Sequence, residues 1–359
     1  MRNNLRIYHT ILGHFCKWFA DERVTRLRNL ALLVTGLYLA RKVHLSLIAD
    51  EWHVTGRTPS LVNRLRRFLS NCRVSVRDYY RPVAESLISS FRGLPIRLII
   101  DTTKIGFSAR LLMVSIAYRS RALPLAWSVH RGKKGWVAVK EQIALLRQVA
   151  ELIPTGSDVW LLGDSEFQHV PLLSWLEGQG WHYILRQQGR VQVWKPGQAQ
   201  VSLTELGLKE GETRYLGWVR LAAKYHHGPV SMVLHWQEGE DEPWYLVTDV
   251  EATPATIRTY KLRMWIEEMY GDMKGHGFDL EATHLRDPDR LSRLVLGVCL
   301  VYAWLISLGS WAVKNGQRHL VDRKSRRDKS YFRIGWSWLK RRLAQGQSLK
   351  LRFAPYAPK

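Results

Sequence analysis

The sequence predicts an α/β protein, a mixed-sheet core interrupted by a β-rich insertion and flanked by helical regions at both ends. Two observations predict it. Between residues 97 and 186, apolar runs of strand length and segments of helical period follow in the order strand, strand, strand, helix, strand, helix, strand. That order suits a helix layer on a mixed sheet, with the first three strands forming a meander. Between residues 188 and 252 the helical period disappears and only short strand-like runs remain, over 214–223, 230–236 and 244–250.

Composition bounds the partner. The formal charge is +23 over 359 residues, more than solubility requires, and fits a polyanion, with nucleic acid ahead of an anionic membrane surface. Hydrophobic residues make up 46% of the chain and include 16 tryptophans, ample for real cores, so a disordered basic tail is excluded. Cys16, Cys72 and Cys299 are far apart and without metal-ligand spacing. Neither a disulfide framework nor a zinc site is expected, and a reducing cytoplasm is the natural compartment. The N-terminus lacks the continuous apolar run of a signal peptide.

Residues 1–94 read as a helical, basic region. Residues 30–40 are apolar enough for a buried helix, and residues 60–69 open on Ser60 as a cap and carry leucines at helical spacing with Arg64, Arg66 and Arg67 on other faces. With Gly56 in the preceding segment, this second helix fits either a helix-turn-helix or a plain bundle with a solvated basic face. The core strands are expected at 97–101, 111–118, 122–129, 158–164 and 182–186, and the helices between them at 137–152 and 170–178. Residues 294–313 carry no charge and are long enough to span a membrane. The glycines, serines and tryptophans spread through this stretch favour a buried core helix. Beyond residue 314 the chain is strongly basic, and Tyr331, Phe332, Trp336 and Trp338 alternate with Arg333 and Lys340 to suggest phosphate contact.

The segment 259–278 carries the chemistry. On one helix, Tyr260, Arg263, Glu267 and Lys274 fall in a stripe roughly 60° wide, while Leu262, Ile266, Met269 and Met273 form a separate apolar stripe. Such a helix buries one face and presents an acid beside two cations and a phenol. The plain alternative is a surface ion pair between Arg263 and Glu267. Phosphodiester cleavage needs charge neutralised on the attacking and leaving oxygens, which two divalent ions held by carboxylates provide, and Mg²⁺ takes oxygen ligands. Asp101 and Asp164 each end an apolar strand, and Glu267 would complete an acidic set. An acid after a strand also commonly caps the next turn. Asp158, Glu166, Glu268 and Asp272 are rivals, of which the last two lie about 80° to 120° from Tyr260 on the helix.

On these residues the chain resembles the DDE transposases of the insertion-sequence-4 family, whose signature sets Tyr, Arg, Glu and Lys at the separations seen in Tyr260, Arg263, Glu267 and Lys274. The resemblance covers roughly residues 95–310. It implies an RNase H-like catalytic core with Asp101, Asp164 and Glu267 as catalytic and metal-binding triad, and Tyr260, Arg263 and Lys274 contacting DNA. The segment Asp164-Ser-Glu-Phe167 departs from the family pattern in adding Glu166. Some members hold a flipped base with a tryptophan of the insertion, for which Trp194, Trp218, Trp236 and Trp244 are candidates.

The resulting expectation is a transposase that binds the terminal inverted repeats of a mobile element as double-stranded DNA, cleaves them with two Mg²⁺ ions, Mn²⁺ being able to substitute, and transfers the strand to target DNA. The expected plan is a DNA-binding region at 1–94, core at 95–187, insertion at 188–252, second core part with the catalytic helix at 253–313, and basic region at 314–359. A homodimer on DNA, no membrane association and a cytoplasmic, nucleoid-associated location go with it. A structure-specific nuclease and a non-catalytic DNA-binding protein are the alternatives.

Overall fold

The computed structural model describes residues 3–132, 135–222, 224 and 226–357. The last position of the expected strand 214–223 and the outermost two positions at each terminus lie outside the described residues.

The N-terminal region folds into α1 (Asn3–Trp18), α2 (Val24–Ala40), α3 (Leu45–Asp50), α4 (Thr58–Leu69) and α5 (Val76–Ser89). Apolar side chains from 30 to 34 are all but fully buried in α2, as the uncharged run requires. α4 begins two residues before Ser60, with Pro59 in its first turn where a missing N–H costs nothing. Ser60 is therefore not its cap. Residues 51–57 separate α3 from α4, a longer connection than the three- to four-residue turn of a helix-turn-helix, and α3 has six residues. The bundle reading holds instead.

The strands are β1 (Ile96–Ile105), β2 (Ala109–Tyr118), β3 (Arg121–Arg131), β4 (Val159–Gly163), β5 (His182–Gln187), β6 (Gln192–Trp194), β7 (Val201–Ser202), β8 (Thr213–Leu221), β9 (His227–His235) and β10 (Trp244–Thr248). They make one sheet in the order β3-β2-β1-β4-β5-β10-β9-β8-β6-β7. The first five strands, an antiparallel meander followed by two strands parallel to β1, are the RNase H-like arrangement. The β-rich insertion is not a separate sheet: β10 pairs antiparallel with β5 and carries the ladder onward.

Helices α6 (Val139–Ala150) and α7 (Val170–Gly178) supply the crossovers to β4 and β5. After the insertion come α8 (Pro254–Tyr260), α9 (Trp265–Met273), α10 (Pro288–Lys314) and α11 (Tyr331–Ala344). The uncharged stretch of α10 is core, its most apolar window being 94% buried. α10 packs against β3, α2, α5 and α11 and so joins the terminal regions to the sheet. Buried Arg293 on it donates to the carbonyls of Val74 at 3.1 Å and Leu69 at 3.0 Å, tying down the chain after α4. In α11 the aromatics Phe332, Trp336 and Trp338 are buried while Arg333 and Lys340 are exposed. The alternation that suggested aromatic contact with phosphate is thus helical amphipathicity: rings inward, cations outward.

Candidate active site

Two parallel strands set the first pair of carboxylates. The β1/β4 ladder ends at the pair Ile100↔Gly163, so Asp101 and Asp164 are each the next residue and emerge side by side at one edge. Asp101 does not end its strand, which runs on to Ile105 in the hairpin with β2. Gly163 fits because a Cβ there would press on Leu185 and Phe167 at 3.0 Å each. Asp164 also does what an acid after a strand ordinarily does: its Oδ1 accepts from the Glu166 N–H at 2.9 Å, capping the 3₁₀ turn Ser165–Phe167.

The segment bearing the Tyr, Arg, Glu and Lys signature is not one continuous α-helix. α8 ends at Tyr260, a 3₁₀ turn spans Lys261–Met264, and α9 runs from Trp265 to Met273. In a 3₁₀ turn residues three apart eclipse one another, so Tyr260 and Arg263 stay aligned, and the following α turn places Glu267 above Arg263. The stripe therefore survives the break for three of its members. Lys274 lies beyond the helix, with non-helical backbone, and reaches β1 instead: its Nζ sits 2.8 Å from Thr103 Oγ1 and 2.8 Å from Glu281 Oε1. Ile266, Met269 and Met273 are buried as the apolar stripe demands, and Leu262 is partly buried.

Arg263, 9% exposed, stands among the acids. Its Nη2 donates to Glu267 Oε1 at 2.6 Å and its Nη1 lies 4.0 Å from Asp101 Oδ1. Burial works against its charge, but Tyr260, Asp101, Glu267 and Asp164 together raise its affinity for the proton. Asp101 is pushed up to about 8, chiefly by burial and then by Asp164, with Arg263 opposing and Glu267 adding to the rise. One guanidinium does not balance the carboxylates around it where Asp101 itself is taken out of water. Tyr260, 1% exposed, is pushed up to about 12 by burial, and packs edge-on against Trp244 with ring centroids 5.1 Å apart.

Among the described residues no three acidic, histidine or cysteine side chains converge closely enough to form a ready-made metal cage. Glu267 is turned toward Arg263 rather than toward Asp101. The donor set nevertheless fits a hard divalent cation: all oxygen, carrying more negative charge than its single internal cation neutralises, and drawn from three separate elements. Arg263 Nε is buried without a hydrogen-bond partner.

The rival acids are engaged elsewhere. Glu268 and Asp272 both pair with Arg121, at 2.9 and 2.6 Å. Asp158 accepts from Trp160 Nε1 at 2.6 Å at the opposite end of β4. Glu166 accepts from the Val137 N–H at 2.7 Å and from Thr102 Oγ1 at 3.1 Å, clamping the approach to α6 onto β1, and burial raises its pKa. Reading the sequence missed Arg186. Its neighbour Leu185 pairs with Gly163 in the parallel β4/β5 ladder, so Arg186 is the counterpart of Asp164 on the next strand, and its charge acts on Tyr260. Its position at the carboxyl end of a third parallel strand was the available signal.

Of the four insertion tryptophans, Trp244 is committed to Tyr260. Trp194 packs edge-on against His226 at 5.2 Å, and Trp236 Nε1 donates to the Glu240 carbonyl at 2.8 Å. Trp218 is 47% exposed on β8. A bulge at Gly217, with φ of 67°, shifts the register and turns Trp218 to the same side as exposed Tyr215.

Comparison with known proteins bears on this arrangement. No match is found among curated protein sequences. Among solved structures, a piggyBac transposase, determined by cryo-EM as a synaptic complex with hairpin DNA, is similar with 11% identity and a TM-score of 0.47, covering 96% of this chain and 82% of that one. The model of the transposase DDE domain matches residues 99–304, more than half the chain, from the strand that carries Asp101 through Asp164 and Glu267 into α10. The chain belongs to the transposase DDE domain family.

Proposed function

We propose that this transposase is of the insertion-sequence-4 type and acts on double-stranded DNA, cutting at the terminal inverted repeats of a mobile element and joining the freed end to target DNA. The observation that carries the reading is the placement of Asp101 and Asp164 side by side past the β1/β4 ladder, with buried Arg263 between them and Glu267. The residues that would hold two Mg²⁺ ions, or Mn²⁺ in their place, are Asp101, Asp164 and Glu267. When bound, such ions activate the attacking hydroxyl and neutralise the leaving oxygen.

The remaining chemistry belongs to the chain's own side chains. Glu267, on the exposed side of α9, is free to swing from Arg263 by rotation about its own χ angles. Arg263 would then offer its guanidinium to a phosphate next to the scissile bond, a bidentate partner for such an anion. Tyr260, kept protonated by burial, is a hydrogen-bond donor at physiological pH. Lys274, anchored at Thr103, would hold a second phosphate from the other side of Asp101. Water and a DNA 3′-hydroxyl are equivalent nucleophiles for in-line displacement, so one site serves both cleavage and strand transfer.

The domain plan set out from the sequence, with residues 1–94 and 314–359 as DNA-binding flanks, belongs to this proposal, as do a homodimer that pairs two element ends and a cytoplasmic, nucleoid-associated location. Trp218 is the insertion tryptophan best placed to stack on a base. The test is cleavage of a labelled duplex bearing the element's terminal sequence, with Mg²⁺ or with EDTA, by wild type, Asp164→Ala and Glu267→Gln. Metal-dependent cuts at the element end, lost in both variants while DNA binding stays within a few fold, support the proposal. Cuts without strand transfer point to a nuclease, and tight binding with no cut in any protein refutes catalysis.

A further inference from the structure

The turn that carries Lys274 into the active site also carries His276 out of it. After α9 the backbone folds back, with Gly277 N donating to Lys274 O at 3.2 Å and His276 N to Gly271 O at 3.0 Å. His276 thereby lines a separate cavity of about 310 Å³ with Arg41, Lys329, Arg333 and Lys340, floored by Trp336. No carboxylate is among the described residues that line it. Four lysine and arginine side chains from two distant stretches of sequence, residue 41 and residues 329–340, converge there beside His276, and like charges gathered in one concavity repel unless an anion joins them. Asp272, whose carboxyl feels the charges of His276 and Arg333, is buried and already bound by Arg121 at 2.6 Å.

The cavity is built rather than incidental. Arg41 adopts a left-handed backbone, φ 55°, at the end of α2, where glycine would be the unstrained choice. Its guanidinium is held 4.3 Å over the Trp336 ring, which fixes a cation that would otherwise move freely. The next residue, Lys42, pairs with Asp279 at 2.6 Å, and Asp279 is also left-handed, φ 55°. The Lys42–Asp279 pair ties the α2–α3 loop to the turn after α9, while Arg41 ties the same loop to α11 through Trp336. The same loop continues into a second cavity, of about 510 Å³, lined by His44, Arg66, His284, Arg286 and Arg290. Its one carboxylate, Asp287, caps α10 by accepting from the Arg290 N–H at 3.0 Å.

We propose that the two cavities, joined through the loop at residues 41–46, form a phosphate track for duplex DNA beside the Lys274 end of the active site. The track grips the DNA backbone where the α2–α3 loop meets α11. It rests on the reading of DNA as substrate and assigns a specific surface to it. The track accounts for the inward rings and outward cations of α11, and for cationic residues of the α2–α3 loop that the catalytic centre does not use.

The test is the salt dependence of binding to a fluorescent 30-base-pair duplex of arbitrary sequence, for wild type, Arg333→Ala/Lys340→Ala, Arg41→Gly, and a control, Lys140→Ala/Arg147→Ala, which removes equal charge from the exposed face of α6, outside the proposed DNA-binding flanks. Each phosphate contact contributes about 0.9 to the slope of log affinity against log salt. The Arg333/Lys340 pair is expected to lower the slope by about two and Arg41→Gly, which also relieves the left-handed strain, by about one. The control should change it by less than about half a unit. Equal losses in the control and test pairs would mean that only net charge matters, and no loss in the test variants would leave the surface without a role. Both outcomes overturn the track while leaving DNA binding intact; a wild type that does not bind the duplex overturns the DNA reading as well.

Discussion

Replacing Asp101 with asparagine should stabilise the metal-free protein as it abolishes activity, and the gain should grow with pH. Asp101 lies 9% exposed beside Asp164 and Glu267, and its carboxyl is raised from an ordinary value of 3.8 to about 8. A carboxyl raised in the folded state is protonated in both states below about pH 4, so it has no effect there. Between about pH 4 and pH 8 the unfolded chain ionises it and the folded chain resists. Folding stability therefore falls by roughly 1.4 kcal/mol per pH unit until the folded pKa is passed. Asparagine does not titrate, and the cost of fitting an amide is independent of pH and cancels from the slope. Urea unfolding of wild type and Asp101→Asn in EDTA, at unit steps from pH 5 to pH 8, should show the variant gaining about 4 kcal/mol over that range. Mg²⁺ at pH 8 should recover most of the difference in wild type and none in the variant. A difference that is flat with pH, or that shrinks as pH rises, would mean that Asp101 is ionised and stabilised by Arg263, and the account of an undercompensated acidic site would be wrong.

Three further outcomes follow from the geometry. Glu166→Gln should keep metal-dependent cleavage within about tenfold of wild type, because Glu166 holds the Val137 N–H and Thr102 rather than the reacting atoms; a loss as deep as that of Asp164→Ala in the same cleavage assay would make it a ligand. Gly335→Ala should cost about 2–3 kcal/mol in urea unfolding, since its new methyl group would meet the Leu305 carbonyl where α10 and α11 touch; an unchanged midpoint would show that the helices slide apart freely. Trp218→Ala should weaken binding to DNA containing an unpaired base by about tenfold, the scale of one stacked base, whereas Trp236→Ala should not; the reverse ranking in a titration would move the stacking site.

The surface ion pair weighed for the signature segment is present, since Arg263 and Glu267 do bond at 2.6 Å. That pair alone would be unremarkable, and it gains meaning from the burial of Arg263 against Asp101, which connects residues far apart in sequence. Likewise, the capping role of Asp164 and its place in the acidic set coexist, because a carboxylate has two oxygens and Oδ1 alone is used by the Glu166 N–H. Glu268 and Asp272 were separable by helical phase, and the structure gives the complementary fact that Arg121 takes both.

Periodicity determined by itself the order of core strands and helices, the end of that rhythm at the insertion, and the buried nature of α10, since alternation and apolar run length are local quantities. It also determined which acids stand at the right spacing from Tyr260, although the 3₁₀ turn at Lys261–Met264 breaks the helix on which that spacing was drawn. The tertiary structure decided what depends on pairing across the sheet: that β10 joins β5 so the insertion extends the core sheet, that Asp101 and Asp164 share one edge, and that Arg186 stands next in line. It also decided the destination of each cation. A basic residue has the same charge anywhere in the sequence, but only packing puts Arg263 among carboxylates, Lys274 on β1 and Arg41 over Trp336, because those partners are brought together by long-range burial that no local pattern encodes.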